Sequence, residues 1–451
     1  MKRLRSTRPA RRAALLAAAL AVCVGVTMPF MASGNAGSSH KSGIVCTKDT
    51  TAGHNPTFDL TAKDGHIQLP DGNTAYMWGL ATGYDHTSGE VQRGVEGGFQ
   101  HPGPVLCVNE GDTVTVVLHN TLQYDDTSLV FPGQGKVMAN GAPSQPQTSG
   151  STVTSLAPVA PKKGGTMTYT FTADHPGTFL YESGTNPQVQ VKMGLFGALI
   201  VRPTMGANYV YDRQDSRFNP KSEYMVLLSE IDPYLNQRME TIKSNNGAGA
   251  PFNLANYHPR YWLINGRGFP DAIADNFAEW LPAQPYGSLA EIQPKDVGNP
   301  YPSVDRYLSV GSQDYPFHPH GNNARIIGRD GRPVVTPAGE DLSFDKFSIP
   351  AGPGQTWDAL FDWTDEEKYT PATLPTTDPQ LQNLVVGTFY SGTPYLGTRG
   401  PLPPGAATQN ECGEYYIIAH NHALYQITSW GVNMTGPITY TRVNPPDGTC
   451  S

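Results

Sequence analysis

The sequence predicts an all-β protein built from two β-sandwich domains with few short helices. Three observations carry that expectation: 48 Gly and 40 Pro in 451 residues, short stretches in which apolar and polar residues alternate, and turn dipeptides between them. Gly and Pro at that density cannot lie inside long helices, because both break them. Charged residues make up 16%, too few for a coiled coil, and aromatics 10%, too many for a disordered chain. The formal net charge is −8. With no basic patch in the body of the chain, nucleic acid is excluded as a main partner.

Taken in order, the first 36 residues stand apart. Lys2, Arg3, Arg5, Arg8, Arg11 and Arg12 precede an apolar run from Ala13 to Phe30, and small residues follow up to Ala36. This layout predicts a secretory signal cleaved after Ala36. Its removal leaves 25 Lys and Arg against 39 Asp and Glu, a formal −14. Arg11-Arg12 partly resembles a twin-arginine signal, though the flanking residues differ. Val22 stands where a lipobox ending at Cys23 needs a small residue. If retained, the apolar run approaches the length of a membrane span. The expected location is secreted or extracytoplasmic, at the cell surface or in the periplasm, with membrane attachment only for an uncleaved segment.

Four cysteines remain: Cys46, Cys107, Cys412 and Cys450. An even number in an exported chain points to disulfides, and four allow three connectivities. Cys46–Cys107 and Cys412–Cys450 are favoured, since each would tie a chain terminus to a neighbouring strand. A cysteine metal site is disfavoured, as no two cysteines are close in sequence.

Thr113 to His119 alternates, with Val114, Val116 and Leu118 on one face; Thr168 to Thr172 sets Tyr169 and Phe171 against threonines. Both read as half-buried antiparallel strands. Gly194 to Val201, Tyr224 to Ser229, Tyr261 to Ile264 and Tyr415 to His420 are further strands. Asp71-Gly72, Pro132-Gly133 and Asp330-Gly331 mark turns. The best helix runs from Asp232 to Lys243, with Asp232 as N-cap and Pro233 in the first turn. A polar stretch around 207–222 reads as a linker between a first domain (37–206) and a second (223–451).

The stretch from Pro102 to Asn120 resembles the opening of the first cupredoxin domain of multicopper oxidases. So do Tyr169 to Tyr181 and Met193 to Val201, and in the second unit Tyr261 to Arg267, Tyr315 to Gly321, Gly328 to Gly331 and Pro350 to Gly354. The resemblance covers most of the chain in family order. It implies two cupredoxin-like Greek-key sandwiches and a copper oxidoreductase. In that family four histidine-rich segments hold a three-copper cluster and, nearby, a single electron-accepting copper.

Carried over residue by residue, the ligand set is degenerate. Val130 and Pro132 stand at the first segment's histidine places, and Tyr181 is followed by Glu182-Ser183-Gly184 instead of a His-x-His pair. Gln188 or Gln190 occupies the region of another expected histidine. In the third segment His318 and His320 persist, but Tyr315 replaces the leading histidine. The fourth keeps His420 and His422 around Asn421 in place of cysteine, with Gln426 at the later histidine; Met434 lies beyond the expected methionine position, near Gly431.

Alternate strand residues share a face, so His318 converges with His320 and His420 with His422. If the two segments face each other, as the resemblance implies, the four surround one point, a donor set suited to Cu, Zn, Fe or Ni, of which the resemblance implies copper at low stoichiometry. Asp314, Asn322 or Asn421 are the expected partners of their second ring nitrogens. Tyr315, Tyr416, Tyr425 and Trp430 read as sandwich-core aromatics in preference to electron relays. The function expected is an exported copper-binding relative with reduced or altered oxidoreductase activity. The alternative is a non-catalytic scaffold that has shed its metals. A second copy would carry the same first domain, so only a different partner subunit could supply the missing ligands.

Overall fold

The computed structural model describes residues 42–47, 55–82, 98–294, 301–321, 323–363, 376–382, 407–410 and 415–444. The predicted signal segment, Asn322, Cys412 and Cys450 lie outside them. Among the described residues the chain is mostly strand, with two α-helices and a few 3-10 turns.

Period-two patterning sets the sheets. Thr113–Asn120 buries Val114, Val116 and Leu118 completely. It pairs antiparallel with Gly165–Thr172, which places Phe171 opposite Val114 and Tyr169 opposite Val116. These strands lie at the centre of a six-stranded sheet that packs on a four-stranded one formed by Cys46–Thr47, Val105–Asn109, Phe196–Arg202 and Gly177–Glu182. A second sandwich repeats the plan with a seven-stranded and a five-stranded sheet, whose strands run from Glu223 to Val443. In the larger sheet of each, one crossover makes a parallel pair among otherwise antiparallel strands, Thr57–Ala62 with Thr115–Asn120 and Glu223–Leu228 with Val304–Ser309. Such returns make the two sandwiches Greek keys. The fold class expected from sequence is therefore the one observed.

A disulfide joins Cys46 to Cys107 across a separation of 61 residues. Closing a loop of that length stabilises the folded state by about 4 kcal/mol in a chain-entropy account. Helix α1 (Pro187–Met193), not foreseen from sequence, is about two turns long and starts from a left-handed Asn186. Helix α2 (Pro233–Ser244) begins where expected: the Asp232 carboxylate accepts from the Tyr234 amide.

The stretch 207–222 is not a loose polar connection. Val210, Tyr211 and Phe218 are buried and form one cluster with Val304, Ile327 and Leu360. Three apolar side chains among many polar ones leave no period to read, yet they suffice to clamp the segment onto the second sandwich.

Two features lock the sandwiches together. An apolar cluster draws on both, with Leu180, Phe196 and Ile200 meeting Met225, Leu227 and Leu308. Beside it lies a buried polar network. Arg306 Nε donates to Glu223 (2.6 Å) and its Nη1 to Asp358 (3.2 Å) and the Thr178 hydroxyl (2.9 Å). Tyr211 donates to the other Asp358 oxygen (2.7 Å), and Arg202 forks onto Glu223 at 2.5 and 2.8 Å. Burial alone would raise the Glu223 pKa; Arg306 and Arg202 outweigh it and hold the carboxyl below its ordinary value. Close by, the two backbones nearly touch: a Cβ on Gly177 would lie 2.9 Å from Gly331 Cα.

His101 lies against the same boundary, its amide donating to the Ala283 carbonyl at 2.8 Å. The ring is buried, packs edge-on to Phe196, and neither nitrogen has a hydrogen-bond partner. Burial therefore pushes its pKa down to about 4.

Two predictions follow from the boundary between sandwiches. Asp358→Ala leaves a buried guanidinium half-paired and should lower unfolding free energy by about 3 kcal/mol or more in denaturant titrations; an unchanged midpoint would refute the lock. His101 stays neutral in the fold but protonates near pH 6.5 when unfolded. Its contribution is complete above pH 6.5 and falls away as pH drops towards 4, by about 3 kcal/mol. His101→Phe should flatten that part of the stability profile relative to the parent chain, as read from melts across this range.

Candidate metal centre

The five-stranded sheet of the second sandwich places Tyr315–Pro319 beside Tyr415–Asn421, with His318 directly opposite His420. Alternation then sorts the side chains by face. Tyr315, Phe317, Ala419 and Asn421 are buried inside the sandwich, while His318, His320, His420 and His422 sit on the outward side, part-buried or exposed.

The structure brings all four predicted histidines together. Ring centroids are 4.6 Å apart for His318 and His320, 5.1 Å for His318 and His422, 5.1 Å for His320 and His420, and 5.6 Å for His420 and His422. Two rings are fixed by backbone carbonyls: His318 Nδ1 to Phe347 O at 2.6 Å and His420 Nδ1 to Asn421 O at 2.8 Å. A carbonyl only accepts, so each Nδ1 carries its proton and each Nε2 keeps a lone pair. His320 Nε2 lies 3.1 Å from His420 Nε2 and donates to it.

Of the partners expected at Asp314, Asn322 or Asn421, Asn421 serves His420 through its main-chain oxygen, His318 takes the Phe347 carbonyl instead, and Asn322 lies outside the described residues. Asn421 contributes its carbonyl, not its amide, and Asp314 turns its own carbonyl towards Gln426. A backbone oxygen has no residue signature, and Phe347 could not have been found from sequence.

Burial and crowding favour the neutral forms of His320 and His420. Burial and then the neighbouring His420, His318 and His422 push the His320 pKa down to about 4. Burial lowers His420 too; the Asn421 carbonyl opposes this, while His318 and His422 reinforce it. As the rings stand, no three His, Cys, Asp or Glu side chains among the described residues are set to hold a metal ion. His318 lies edge-on to His420 and His422, and the His320 and His420 Nε2 atoms face each other.

On the inward face, the positions at which the family resemblance placed a single copper carry a different chemistry. Asn421 Nδ2 donates to Gln426 Oε1. Gln426 Nε2 donates to Gln313 Oε1 (2.9 Å), the Tyr425 hydroxyl (3.2 Å) and the Asp314 carbonyl (3.3 Å), and Trp262 Nε1 adds a bond to Gln313 (2.9 Å). Tyr315 donates to Glu230 at 2.8 Å, and the other Glu230 oxygen accepts from Lys192 at 3.0 Å and the Ser312 amide at 2.8 Å. Met434 packs with the apolar cluster around Phe269 and Tyr440.

In the first sandwich, Val130 and Glu182 exchange backbone bonds of 2.8 and 3.1 Å, so the first and second segments do meet. What surrounds them is hydroxyl and amide. Ser128, Ser155 and Thr185 lie 2.9–3.0 Å from one another, and the buried Gln190 accepts from Thr127 (2.8 Å) and Ser183 (2.6 Å). Of the four aromatics read as core, Tyr315 and Tyr416 are buried, but Tyr425 is 58% and Trp430 46% exposed.

Comparison with known proteins agrees with this architecture. Residues 84–206 match the family model described as Multicopper oxidase. An L-ascorbate oxidase of Cucurbita maxima is 36% identical over 188 residues, 42% of this chain and 28% of the relative. An iron transport multicopper oxidase, FET3, of Kluyveromyces lactis is 32% identical over 141 residues, covering 29% of this chain and 21% of the relative. The matched stretch thus spans less than a third of either. In fold, the multicopper oxidase mgLAC superposes with a TM-score of 0.54 at 18% identity, covering 88% of this chain and 87% of that one. A blue copper oxidase from Nitrosomonas europaea gives 0.52 at 18% identity, with 86% and 85% covered. The first sandwich is thus similar in sequence to a domain of the multicopper oxidase family, and both sandwiches share the fold of such proteins.

Proposed function

We propose that the protein is an exported copper-binding member of this family, holding about one copper ion through His318, His320, His420 and His422, with reduced or altered oxidoreductase activity. The observation that carries this reading is the convergence of four imidazoles from two adjacent strands, two of them already locked by carbonyls. A copper ion there would supply a one-electron couple and a Lewis acid. The chain's own part is to present neutral donors. His318 and His420 offer Nε2 lone pairs, His320 gives up its bond to His420 and turns its ring, and its depressed pKa removes competition from protons near neutrality.

With His320 turned, the donor set would suit a single ion, and it does not fit the family's full complement. Val130, Pro132, Glu182 and Gly184 offer no imidazole, and Tyr315, Asn421 and Gln426 offer neither thiolate nor imidazole. The amide network fills the space instead, so electrons have no copper to enter through on the inward face. The outward placement of the histidines leaves room for ligands from a different partner subunit. Export is supported by the N-terminal layout and by the Cys46–Cys107 disulfide, which suits an oxidising compartment. No helix among the described residues is long and apolar enough to cross a membrane.

Elemental analysis after copper loading should find about one copper per chain, lost in a His318→Ala/His422→Ala double variant that retains its melting profile. No copper in either would favour a metal-free scaffold. The loaded protein should lack an intense blue absorption band, and laccase-like turnover of phenols would sink the reduced-activity reading. Gln426→Ala should lower unfolding free energy by about 2 kcal/mol in denaturant titrations, because it leaves buried Asn421 unpaired. Copper stoichiometry should not change.

A further inference from the structure

A cleft of about 550 Å³ opens where the turn following Leu69 in the first sandwich meets helix α2 and the loop around Trp430. None of the four clustered histidines lines it. Its aromatic wall is Tyr234 and Trp430, which are 53% and 46% exposed, with Tyr261 behind them. Trp430 meets Tyr234 edge to face at 5.7 Å and Tyr261 at 6.0 Å. Its backbone sits at φ +48°, a region that bulky residues avoid, held there by a 2.7 Å bond from its amide to the Arg260 carbonyl. The fold spends strain to keep this indole at the cleft mouth.

The polar wall is acidic and rich in acceptors. Asp71 and Glu240 line the cleft, and no Lys, Arg or His does. Asp71 is fixed by Asn73 and by the Tyr261 hydroxyl at 2.9 Å. Glu240 spends one oxygen on His66 at 2.9 Å and remains 43% exposed. Asn236, at 2% exposed, donates Nδ2 to the Tyr76 carbonyl (2.7 Å), and its buried Oδ1 has no partner. An orphaned acceptor of that kind is stabilised by a donor arriving from outside.

The complement of exposed aromatic faces, two carboxylates and an unpaired carbonyl is a cation that carries N–H donors on an aliphatic body. A quaternary ammonium has no donor for Asn236, an anion is repelled, and a neutral sugar, though its hydroxyls can donate to the carboxylates, leaves their two charges uncompensated. We propose that this cleft binds an aliphatic oligoamine, its ammonium groups shared between Asp71, Glu240 and Asn236 and its methylenes against Trp430 and Tyr234.

Isothermal titration of the full chain with spermidine tests this, with 1,8-octanediol as a neutral chain of similar length and cellobiose as a sugar. Saturable binding of spermidine that weakens with salt is expected, with neither neutral compound competing. Trp430→Ala and Glu240→Gln should each weaken binding about threefold or more, with melting profiles retained. Binding of the diol or the sugar as tight as that of spermidine would overturn the proposal. So would no saturation at millimolar spermidine, or affinity unchanged in both variants. Copper content does not enter the readout, so the cleft and the histidine centre stand or fall separately.

Discussion

A guanidinium buried between two domains must be neutralised by whatever surrounds it, and Arg306 is neutralised by groups from three parts of the chain. Glu223 and Asp358 come from the second sandwich, the Thr178 hydroxyl from the first, and Tyr211 from the segment between them. Arg202 closes the set through Glu223. Removing any one partner leaves charge in a medium that solvates it poorly. The sandwiches are thereby held in one orientation, and the cleft and the inward polar site inherit their geometry from that orientation. The apolar cluster around Leu180 and Leu227 supplies much of the attraction. It is non-directional, and the ion network supplies the angle.

The second sandwich then uses the two faces of a single strand pair for different purposes. Facing in, Tyr315 and Asn421 belong to a dense lattice of amides, a phenol and a carboxylate that offers neither thiolate nor imidazole. Facing out, the histidines retain lone pairs and near-solvent access. A strand with strict alternation allows one face to change chemistry while the other is kept. The inward positions could therefore exchange Cys and His for Asn, Gln and Tyr without disturbing the outward cluster. Lys192 and Glu230 carry the inward lattice across to the first sandwich, where Ser, Thr and Gln side chains fill the corresponding space.

Much of this was legible in the sequence. Alternation located Thr113–Asn120 and its partner, and Asp232-Pro233 located the start of α2 to the residue, because both signals are local. The four histidines were legible as two His-x-His pairs, and the Cys46–Cys107 bridge as one of three connectivities. What escaped has a common physical character. Helix α1 is about two turns starting from a left-handed Asn186, too short for periodicity. The packing of 207–222 rests on three scattered side chains. The carbonyls that orient His318 and His420 belong to the main chain, and Glu230 meets Tyr315 from 85 residues away. Tyr425 and Trp430 misled for another reason: aromatic residues usually fill cores, and here they border solvent.

The contact between His320 and His420 bears on how the protein matures. In domains that are unfolded without their metal, the ligands have no other partners, and metal uptake and folding are one event. Here three of the proposed ligands are already engaged: His318 and His420 by carbonyls, His320 by His420. The sheets that carry them close on their own hydrophobic core. If the centre binds an ion as proposed, folding of the sheets then does not depend on it, and the affinity appears as binding alone, separable in time from assembly.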